Sequence, residues 1–244
     1  MKIIINGAGG HMGREVCRLA ESSSQMSIAA RIDKMGGDGI LTNIFDYSGE
    51  ADVIIDFSHH SASPELVKYA SEKNIPIVIA TTGHDESELC AIEAASEKVA
   101  IFMSANMSLG VALLVELAKK TASVFPDADI EIIEKHHNRK LDAPSGTALM
   151  IAKAIEEVRR GIKFVYGRAG QQKREKDEIG IHAVRGGNIV GEHEVIVCTE
   201  SQIITLKHEA QSRSLFAEGA ISAASFLIGK GAGLYSMQDI AKSN

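Results

Sequence analysis

The chain has 244 residues, a length that suits one large domain or two modest ones with a substantial core. Its charged fraction of 24% and hydrophobic fraction of 45% are typical of a globular protein, and a net charge of −6 argues against general affinity for nucleic acid. The three cysteines, Cys17, Cys90 and Cys198, are too widely spaced for a disulfide framework or a cysteine zinc site. No apolar run approaches a membrane span, and the N-terminal residues lack signal-peptide features, so we expect a cytoplasmic protein without a membrane partner.

The first 107 residues alternate short apolar runs with helical patterns. We predict strands at 2–5, 27–32, 53–55, 77–79 and 99–102, and helices at 14–20, 63–73 and 86–97. The glycine-rich residues 35–49 are expected to form a loop. Continuous apolar strands between helices are typical of a Rossmann-like parallel sheet with helices on both faces.

The pattern changes after residue 107. We predict helices from 108, at 146–160 and at 215–228, and strands at 129–133, 179–185, 189–197 and 202–206. Strands that follow one another with few helices indicate a second α+β domain with a mixed or antiparallel sheet. The charged run at 173–176 is expected to lie in a solvated loop.

A glycine-rich turn follows the first predicted strand. Gly7, Gly9, Gly10 and Gly13 precede a helix, although the strict G-x-G-x-x-G spacing fails because Met12 stands at the third glycine. Such a turn can place a pyrophosphate against backbone N–H groups, and an acidic residue after the second strand can bind the adenosine ribose. In this sequence the acidic residue is Asp33. Lys34 beside it could bind a 2′-phosphate, so the sequence does not decide between NAD and NADP. The alternative is that both are surface charges.

Small polar residues follow the third, fourth and fifth strands, at 56–58, 80–83 and 104–107. The carboxyl ends of parallel strands are where ligands bind in such sheets, which favours contacts with a nicotinamide ring and ribose. Ordinary loop chemistry favours the same residue types. His59 and His60 are expected to be exposed loop histidines.

The stretch 131–148, EIIEKHHNRKLDAPSGTA, is the richest in reactive groups. A strand delivers His136 and His137, Lys140 adds positive charge, and Asp142 can hold a neighbouring cation. Ser145-Gly146-Thr147 begins a helix and predicts an anion site. Histidine and lysine beside such a site suit a proton-donating reductase. Alternatives are a buried polar pair, a fragment of a zinc site, or an N-cap alone, and no third metal ligand is nearby.

This stretch resembles the signature of the dihydrodipicolinate reductase family, which is also called 4-hydroxy-tetrahydrodipicolinate reductase. Every fixed position of E-I-x-E-x-H-x-x-x-K-x-D-x-P-S-G-T-A is filled. GAGGHMGR at 7–14, SANMSLGV at 104–111, RGGNIVGEH at 185–193 and GKGAGLYSM at 229–237 extend the resemblance over essentially the full length.

The resemblance implies an oxidoreductase of diaminopimelate and lysine biosynthesis that uses NADH or NADPH to reduce a cyclic dicarboxylate imine. No metal is expected, because the two histidines have no third ligand nearby. His136 would be the proton donor and Lys140 a second one, while His137, Ser145, Gly146 and Thr147 would bind the substrate. The dinucleotide would contact Gly7, Ala8, Gly9, Gly10, His11, Met12, Asp33, Lys34, Ala80, Thr81, Thr82, Ser104, Ala105, Asn106 and Met107.

The same resemblance implies a dinucleotide-binding domain at 1–107 plus 213–244 and a substrate-binding and oligomerisation domain at 108–212, whose sheet builds a homotetramer. Two positions depart from the family pattern. Ala80 stands where glycine is common, which would crowd the cofactor, and Met107 stands where an aromatic residue is common.

Two rival functions remain to be weighed. Another Rossmann reductase, such as an aspartate-semialdehyde or homoserine-type dehydrogenase, is disfavoured because the former needs an acylating cysteine and none of the three has a suitable context. A nucleotide-binding sensor without catalysis is disfavoured by the presence of both His136 and Lys140.

Overall fold

The computed structural model describes residues 1–243. The chain divides into two compact units, one formed by Met1–Leu109 with the chain from Ser214 onward, the other by Gly110–Arg213. These limits differ by one or two residues from those expected from the sequence. Within the described range, no helix combines the length and the apolar character needed to cross a membrane.

Twelve strands and seven α-helices make up the described chain. The strands are β1 Lys2–Asn6, β2 Ser27–Ile32, β3 Ile40–Leu41, β4 Val53–Asp56, β5 Ile77–Ile79, β6 Ala100–Met103, β7 Asp129–His136, β8 Lys163–Tyr166, β9 Glu178–Arg185, β10 Gly191–Cys198, β11 Ile203–Ala210 and β12 Gly233–Tyr235. The helices are α1 His11–Glu21, α2 Ser63–Lys73, α3 Glu86–Ser96, α4 Leu109–Val124, α5 Gly146–Glu156, α6 Ser214–Leu227 and α7 Met237–Ser243.

The first unit is built on a seven-stranded sheet with the order β12-β6-β5-β4-β1-β2-β3, and every neighbouring pair is parallel. The side chains of β4 and β5 and of residues 3–6 in β1 are buried, because both faces of the sheet are covered. Ile4, Ile54 and Ile77 pack against α2 and α3 on one face, while α6 lies beside α1 and packs on β4, β5 and β6. The predicted Rossmann-like half of the fold is confirmed.

The second unit is built on a five-stranded mixed sheet with the order β11-β10-β7-β9-β8. The central strand β7 pairs antiparallel with β10 and parallel with β9. Ile130, Ile132 and Val195 belong to a core shared with α4 and α5 on one face of this sheet. The other face of β7 carries Glu131, Ile133 and Lys135, because successive side chains of a strand point to opposite sides.

Several elements differ from the sequence prediction. The expected loop at 35–49 contains β3 and a short 3₁₀-helix, Ile44–Asp46, and β12 and α7 were not predicted at all. These segments are too short to show a periodic pattern. Strand β7 continues to His136 instead of ending near 133, and α5 ends at Glu156 instead of 160.

The charged run at 173–176 lies in a loop, as predicted, and its other three residues are exposed, but Arg174 is only partly exposed. Arg174 donates hydrogen bonds to Asp129 at 2.6 Å and to Glu131 at 3.1 Å, and its side chain is 18% exposed. The sequence around Arg174 shows only a run of charges. The carboxylates that accept its hydrogen bonds lie on β7, more than forty residues earlier.

Candidate active site

The glycine turn joins β1 to α1 at very close range. Gly7 has φ +79°, and a Cβ there would lie 2.7 Å from the Phe57 backbone. A Cβ at Gly13 would lie 2.0 Å from the Gly7 carbonyl oxygen. Gly13 therefore provides the close helix–strand packing that the strict motif assigns to its third glycine. Helix α1 starts after Gly10 with no side-chain cap, which leaves its N-terminus suited to a pyrophosphate.

Asp33 ties this turn to the end of β2. Its Oδ2 accepts the Gly9 N–H at 2.9 Å, and its Oδ1 accepts the Met35 N–H at 3.0 Å. Asp33 and the exposed Lys34 both line a cavity of about 860 Å³ that also includes Gly7 and Gly10. The carboxylate keeps acceptor capacity for ribose hydroxyls, so the residues present fit a dinucleotide.

The ends of β1, β4 and β5 meet at the buried carboxyl group of Asp56. Asn6 donates to Oδ1 at 2.8 Å, and the Thr81 hydroxyl lies 3.5 Å from Oδ2. Burial raises the pKa of Asp56, and hydrogen bonds from Ser58 and Asn6 oppose that rise. The Thr81 hydroxyl thus faces the interior, whereas the side chain of Thr82 is exposed.

The segment 104–107 lies between β6 and α4. The Ser104 hydroxyl donates to the Asn106 carbonyl at 2.8 Å, and the Asn106 side chain accepts from the Ser108 N–H at 2.9 Å. Ala105 is exposed, but Met107 is only 3% exposed. A cofactor could therefore touch only the small exposed surface of Met107.

The two loop histidines are placed differently from each other. His59 is exposed, as predicted, and lines the same cavity as Asp33. His60 is half-buried, and its Nδ1 lies 2.8 Å from Glu88 in the capping box of α3. The prediction of an exposed histidine was wrong for His60, because the acidic partner comes from another helix.

The end of β7 brings together a histidine, a carboxylate and a guanidinium. Nδ1 of His136 lies 2.6 Å from Oε2 of Glu134, two residues earlier on the same face. Arg185, at the end of β9, donates to both oxygens of Glu134 at 2.7 and 2.8 Å. The strand register explains this contact, because Arg185 is paired with His136. The side chain of His136 is 12% exposed.

Glu134 is ionised in this setting. Burial raises its pKa, but the hydrogen bonds from His136 and Arg185 and from the Ser145 N–H outweigh that effect and lower the pKa to about 2. The carboxylate is 0% exposed, and its negative charge is compensated by these donors.

Helix α5 begins beside this cluster. Ser145 is its N-cap, and the hydroxyl accepts the Ala148 N–H at 3.2 Å. The Ser145 N–H donates to Glu134 at 3.0 Å, and the hydroxyl lies 3.1 Å from Nε2 of His193 on β10. Burial lowers the pKa of His193 to about 4, so this ring is neutral at pH 7. Gly146 is exposed and Thr147 half-buried at the positive end of the helix.

Lys140 lies on the loop between β7 and α5. Its Nζ is 2.8 Å from Oδ1 of Asp142, which holds the pKa of that carboxyl group below its usual range. His137 precedes this loop, and its Nδ1 is buried without a hydrogen bond to any described residue. Burial, with the nearby charge of Arg139, lowers the pKa of His137.

Three side chains that contact His136 or the start of α5 were not among the site residues predicted from the sequence. Glu134 stands in the signature, and its spacing of two from His136 on a strand could have placed both on one face. Arg185 and His193 are the first and last residues of the RGGNIVGEH motif, but the sequence does not indicate that they lie near His136. Only the pairing of β9 and β10 with β7 brings them there.

Two family models match this chain. The one described as dihydrodipicolinate reductase, N-terminus, matches residues 1–107, and the one described as dihydrodipicolinate reductase, C-terminus, matches residues 110–241. Together these models account for nearly all of the sequence.

Similar full-length proteins carry one name. A 4-hydroxy-tetrahydrodipicolinate reductase from Caldanaerobacter subterraneus subsp. tengcongensis is 50% identical, with 99% of this chain and 98% of that protein covered. A protein of the same name from Clostridium novyi is 45% identical, with 99% and 98% covered.

Among solved structures, dihydrodipicolinate reductase from Paenisporosarcina sp. TG-14, bound to dipicolinate, has a TM-score of 0.82 and 25% identity, with 98% of this chain and 99% of that chain covered. A diaminopimelate dehydrogenase from C. glutamicum has a TM-score of 0.61 and 12% identity, with 98% and 93% covered, and shares the fold alone.

Proposed function

The chain belongs to the dihydrodipicolinate reductase family, and on that premise we propose that it reduces 4-hydroxy-tetrahydrodipicolinate to tetrahydrodipicolinate in diaminopimelate and lysine biosynthesis. The observation that carries the proposal is that His136, Lys140 and the start of α5 lie on one continuous segment, in which Glu134 joins His136 to the start of α5. Lys140 and the start of α5 are two positive elements that could each bind a carboxylate. A proton donor beside them suits a dicarboxylate substrate that must be protonated.

The first unit would bind the nicotinamide cofactor, which supplies a hydride when bound. The pyrophosphate would lie against the start of α1, where the close approach of Gly7 and Gly13 leaves the helix N-terminus open. The ribose hydroxyls would be held by Asp33, with the loops at 80–82 and 104–107 supplying further contacts. This assignment rests on the geometry of the chain and on the family.

The second unit would hold the carboxylates of the substrate. Lys140 contributes a charge, and Ser145, Gly146 and Thr147 contribute the positive end of α5. His137 is the additional donor proposed on this side. The dipicolinate in the solved relative is a dicarboxylate of the same class, which supports an anion-binding role for the corresponding part of this chain.

His136 would deliver the proton. The 4-hydroxyl group of the substrate leaves as water, which gives the conjugated cyclic imine. Hydride addition to this imine leaves an enamine, and transfer of one proton from His136 to the enamine carbon gives tetrahydrodipicolinate. The histidine is then reprotonated from solvent, so one hydride and one proton are consumed for each product molecule. Lys140 is the second proton donor in this proposal.

Cofactor preference, assembly and location are finer parts of the same proposal. Asp33 favours a free ribose hydroxyl and Lys34 a 2′-phosphate, so we propose that NADH and NADPH both serve. A homotetramer built through the sheet of the second unit, in the cytoplasm, is proposed from the family resemblance.

The test is a turnover assay with freshly prepared imine and parallel titration of NADH and NADPH. Lys140→Ala should raise the KM for the imine and lower kcat about 10²-fold, and it should weaken dipicolinate binding. Lys135→Ala is the matched control, since Lys135 pairs with Glu192 on the opposite face of β7. Failure of the wild-type protein to oxidise either cofactor would overturn the proposal and favour a nucleotide-binding sensor.

A further inference from the structure

Glu134 is a buried carboxylate that has no role of its own in the proposed reaction. Its side chain is 0% exposed, and an ionised carboxylate in such a place is tolerated only when donors surround it. Four hydrogen bonds reach its two oxygens, one from His136, two from Arg185 and one from the Ser145 N–H. A carboxylate that accepts four hydrogen bonds is held in one orientation, and its donors are held with it.

The donors come from three separate segments. His136 ends β7, Arg185 ends β9, and Ser145 caps α5. Arg185 also donates to the Asp142 carbonyl at 2.6 Å, on the loop that carries Lys140. Glu134 thus ties the histidine to both elements that the proposed function assigns to the substrate carboxylates.

The contacts of Glu134 decide the tautomer of His136. A guanidinium and a backbone N–H can only donate, and an ionised carboxylate can only accept. The 2.6 Å contact between Nδ1 of His136 and Oε2 of Glu134 therefore needs a proton on Nδ1. The nitrogen that can gain and lose a proton is then Nε2.

The residues around Nε2 of His136 leave this nitrogen room to exchange a proton. Gly191, at the start of β10, lies beside the ring, and a Cβ at this position would lie 3.1 Å from Nε2. The ring of His193 meets the His136 ring edge-on with centroids 5.2 Å apart, so the plane of His136 is fixed on that side as well.

We propose that Glu134 is a positioning residue, which holds His136 with its Nδ1–H toward the carboxylate and so makes Nε2 the nitrogen that passes the proton to the substrate. The inference deepens the proposed function and rests on it for the identity of the proton acceptor. Glu134 itself does not contact the substrate.

The first experiment compares Glu134→Gln with Glu131→Gln. Glu131 is a matched control because it lies on the same strand, faces the other way and also accepts a hydrogen bond from a histidine, His182, at 2.7 Å. Glu134→Gln should lower kcat about 10²-fold and raise the solvent isotope effect, while the affinity for NADH stays within about threefold of wild type. Glu131→Gln should keep kcat within about threefold. Equal effects of the two substitutions would overturn the inference.

A double mutant separates positioning from a general structural effect. If Glu134 acts through His136, adding Glu134→Gln to His136→Gln should lower kcat by less than about twofold more. A further fall as large as that in the wild-type background would contradict the inference.

A spectroscopic measurement needs neither turnover nor a foldable Glu134 variant. In ¹⁵N-histidine-labelled wild-type protein, at a pH where the ring is neutral, His136 should show a protonated Nδ1 and an unprotonated Nε2, with His136→Gln identifying the signal. A protonated Nε2 would overturn the inference. A wild-type protein with the expected tautomer but no imine reduction would instead refute the proposed function alone.

Discussion

The two faces of strand β7 carry the same types of side chain in different surroundings. On the face packed against α5, Glu134 meets His136 and Arg185. On the opposite face, Glu131 meets His182 and Arg174, with Arg168 nearby at 3.1 Å. Both clusters consist of a carboxylate, a histidine and arginine, yet their carboxylates are 0% and 22% exposed.

This difference shows that residue types alone do not mark a site. Burial raises the pKa of Glu131, but His182 and the two arginines lower it overall, in the same direction as for Glu134. The cluster of Glu134 additionally contains the start of a helix and adjoins a lysine, which together form the proposed anion site. The arginines of the other cluster belong to the segment that precedes β9, so the contacts of Glu131 join that segment to the sheet.

The largest expected difference between the two faces is catalytic. His136→Gln should lower kcat by about 10²–10⁴-fold, because it removes the proton donor, whereas His182→Gln should leave kcat within about threefold. Steady-state kinetics with both cofactors checks this, and the Kd for NADH should be unchanged in both variants. Near-normal turnover of His136→Gln would refute the assigned proton donor.

The next difference concerns stability. Arg185→Met leaves the buried carboxylate of Glu134 without its main counterion and should lower the free energy of unfolding by about 3–5 kcal/mol. Arg174→Met affects the partly exposed Glu131, which keeps Arg168 and water, and should cost about 1 kcal/mol. Urea denaturation measures both values, and equal losses would show that burial does not separate the two clusters.

The two faces of β7 should also differ in how stability depends on pH, by a smaller free energy than in the arginine variants. The pKa of Glu134 is lowered from 4.5 to about 2, so its contribution is present above pH 4.5 and is lost as the pH falls toward 2. That contribution is about 3 kcal/mol. His193, with a folded pKa of about 4, adds a loss between pH 6.5 and 4, because the unfolded chain takes up that proton first.

Urea denaturation from pH 7 to pH 3 tests this expectation. Glu134→Gln should flatten the stability profile below pH 4.5 much more than Glu131→Gln does, and the His193 step should persist in both variants. Identical slopes for the wild type and Glu134→Gln would contradict the charge state assigned to the buried carboxylate.

The smallest expected difference comes from one glycine on each face. A methyl at Gly191 would lie 3.1 Å from Nε2 of His136, so Gly191→Ala should lower kcat about tenfold by tilting the ring, with little change in stability. A methyl at Gly180 would lie 1.7 Å from Oε2 of Glu131, so Gly180→Ala should displace this carboxylate from its hydrogen-bond donors. The expected cost is about 1 kcal/mol with kcat nearly unchanged. The opposite pattern in kinetics and thermal unfolding would reverse the roles of the two faces.

Much of the architecture was predictable because its signals are local. Helix α2 and strands β2 and β5 were predicted with the bounds that the structure has, since apolar periodicity and an early proline define them. The predicted family is confirmed by both matched models. The two-residue strand β3 escaped prediction because it exists only through pairing with β2.

The candidate site divides in the same way. His136, Lys140 and Ser145 were found because they lie within ten residues of one another in a dense polar stretch. The binding roles of the predicted residues stay predictions. Arg185 could not be found in this way, because it lies 51 residues from Glu134 and approaches it through strand register.

The sequence by itself determined most of the longer strands and helices, the glycine turn and the candidate residues for proton transfer, because these depend on periodicity and on side-chain chemistry. Only the tertiary structure decided that Glu134 is fully buried while Glu131 stays partly exposed, and that Arg185 reaches Glu134. The reason is that a strand turns neighbouring side chains to opposite faces, and packing against α5 excludes water from one face of β7. We therefore expect the loss of a charged partner to cost more stability on that face than on the other.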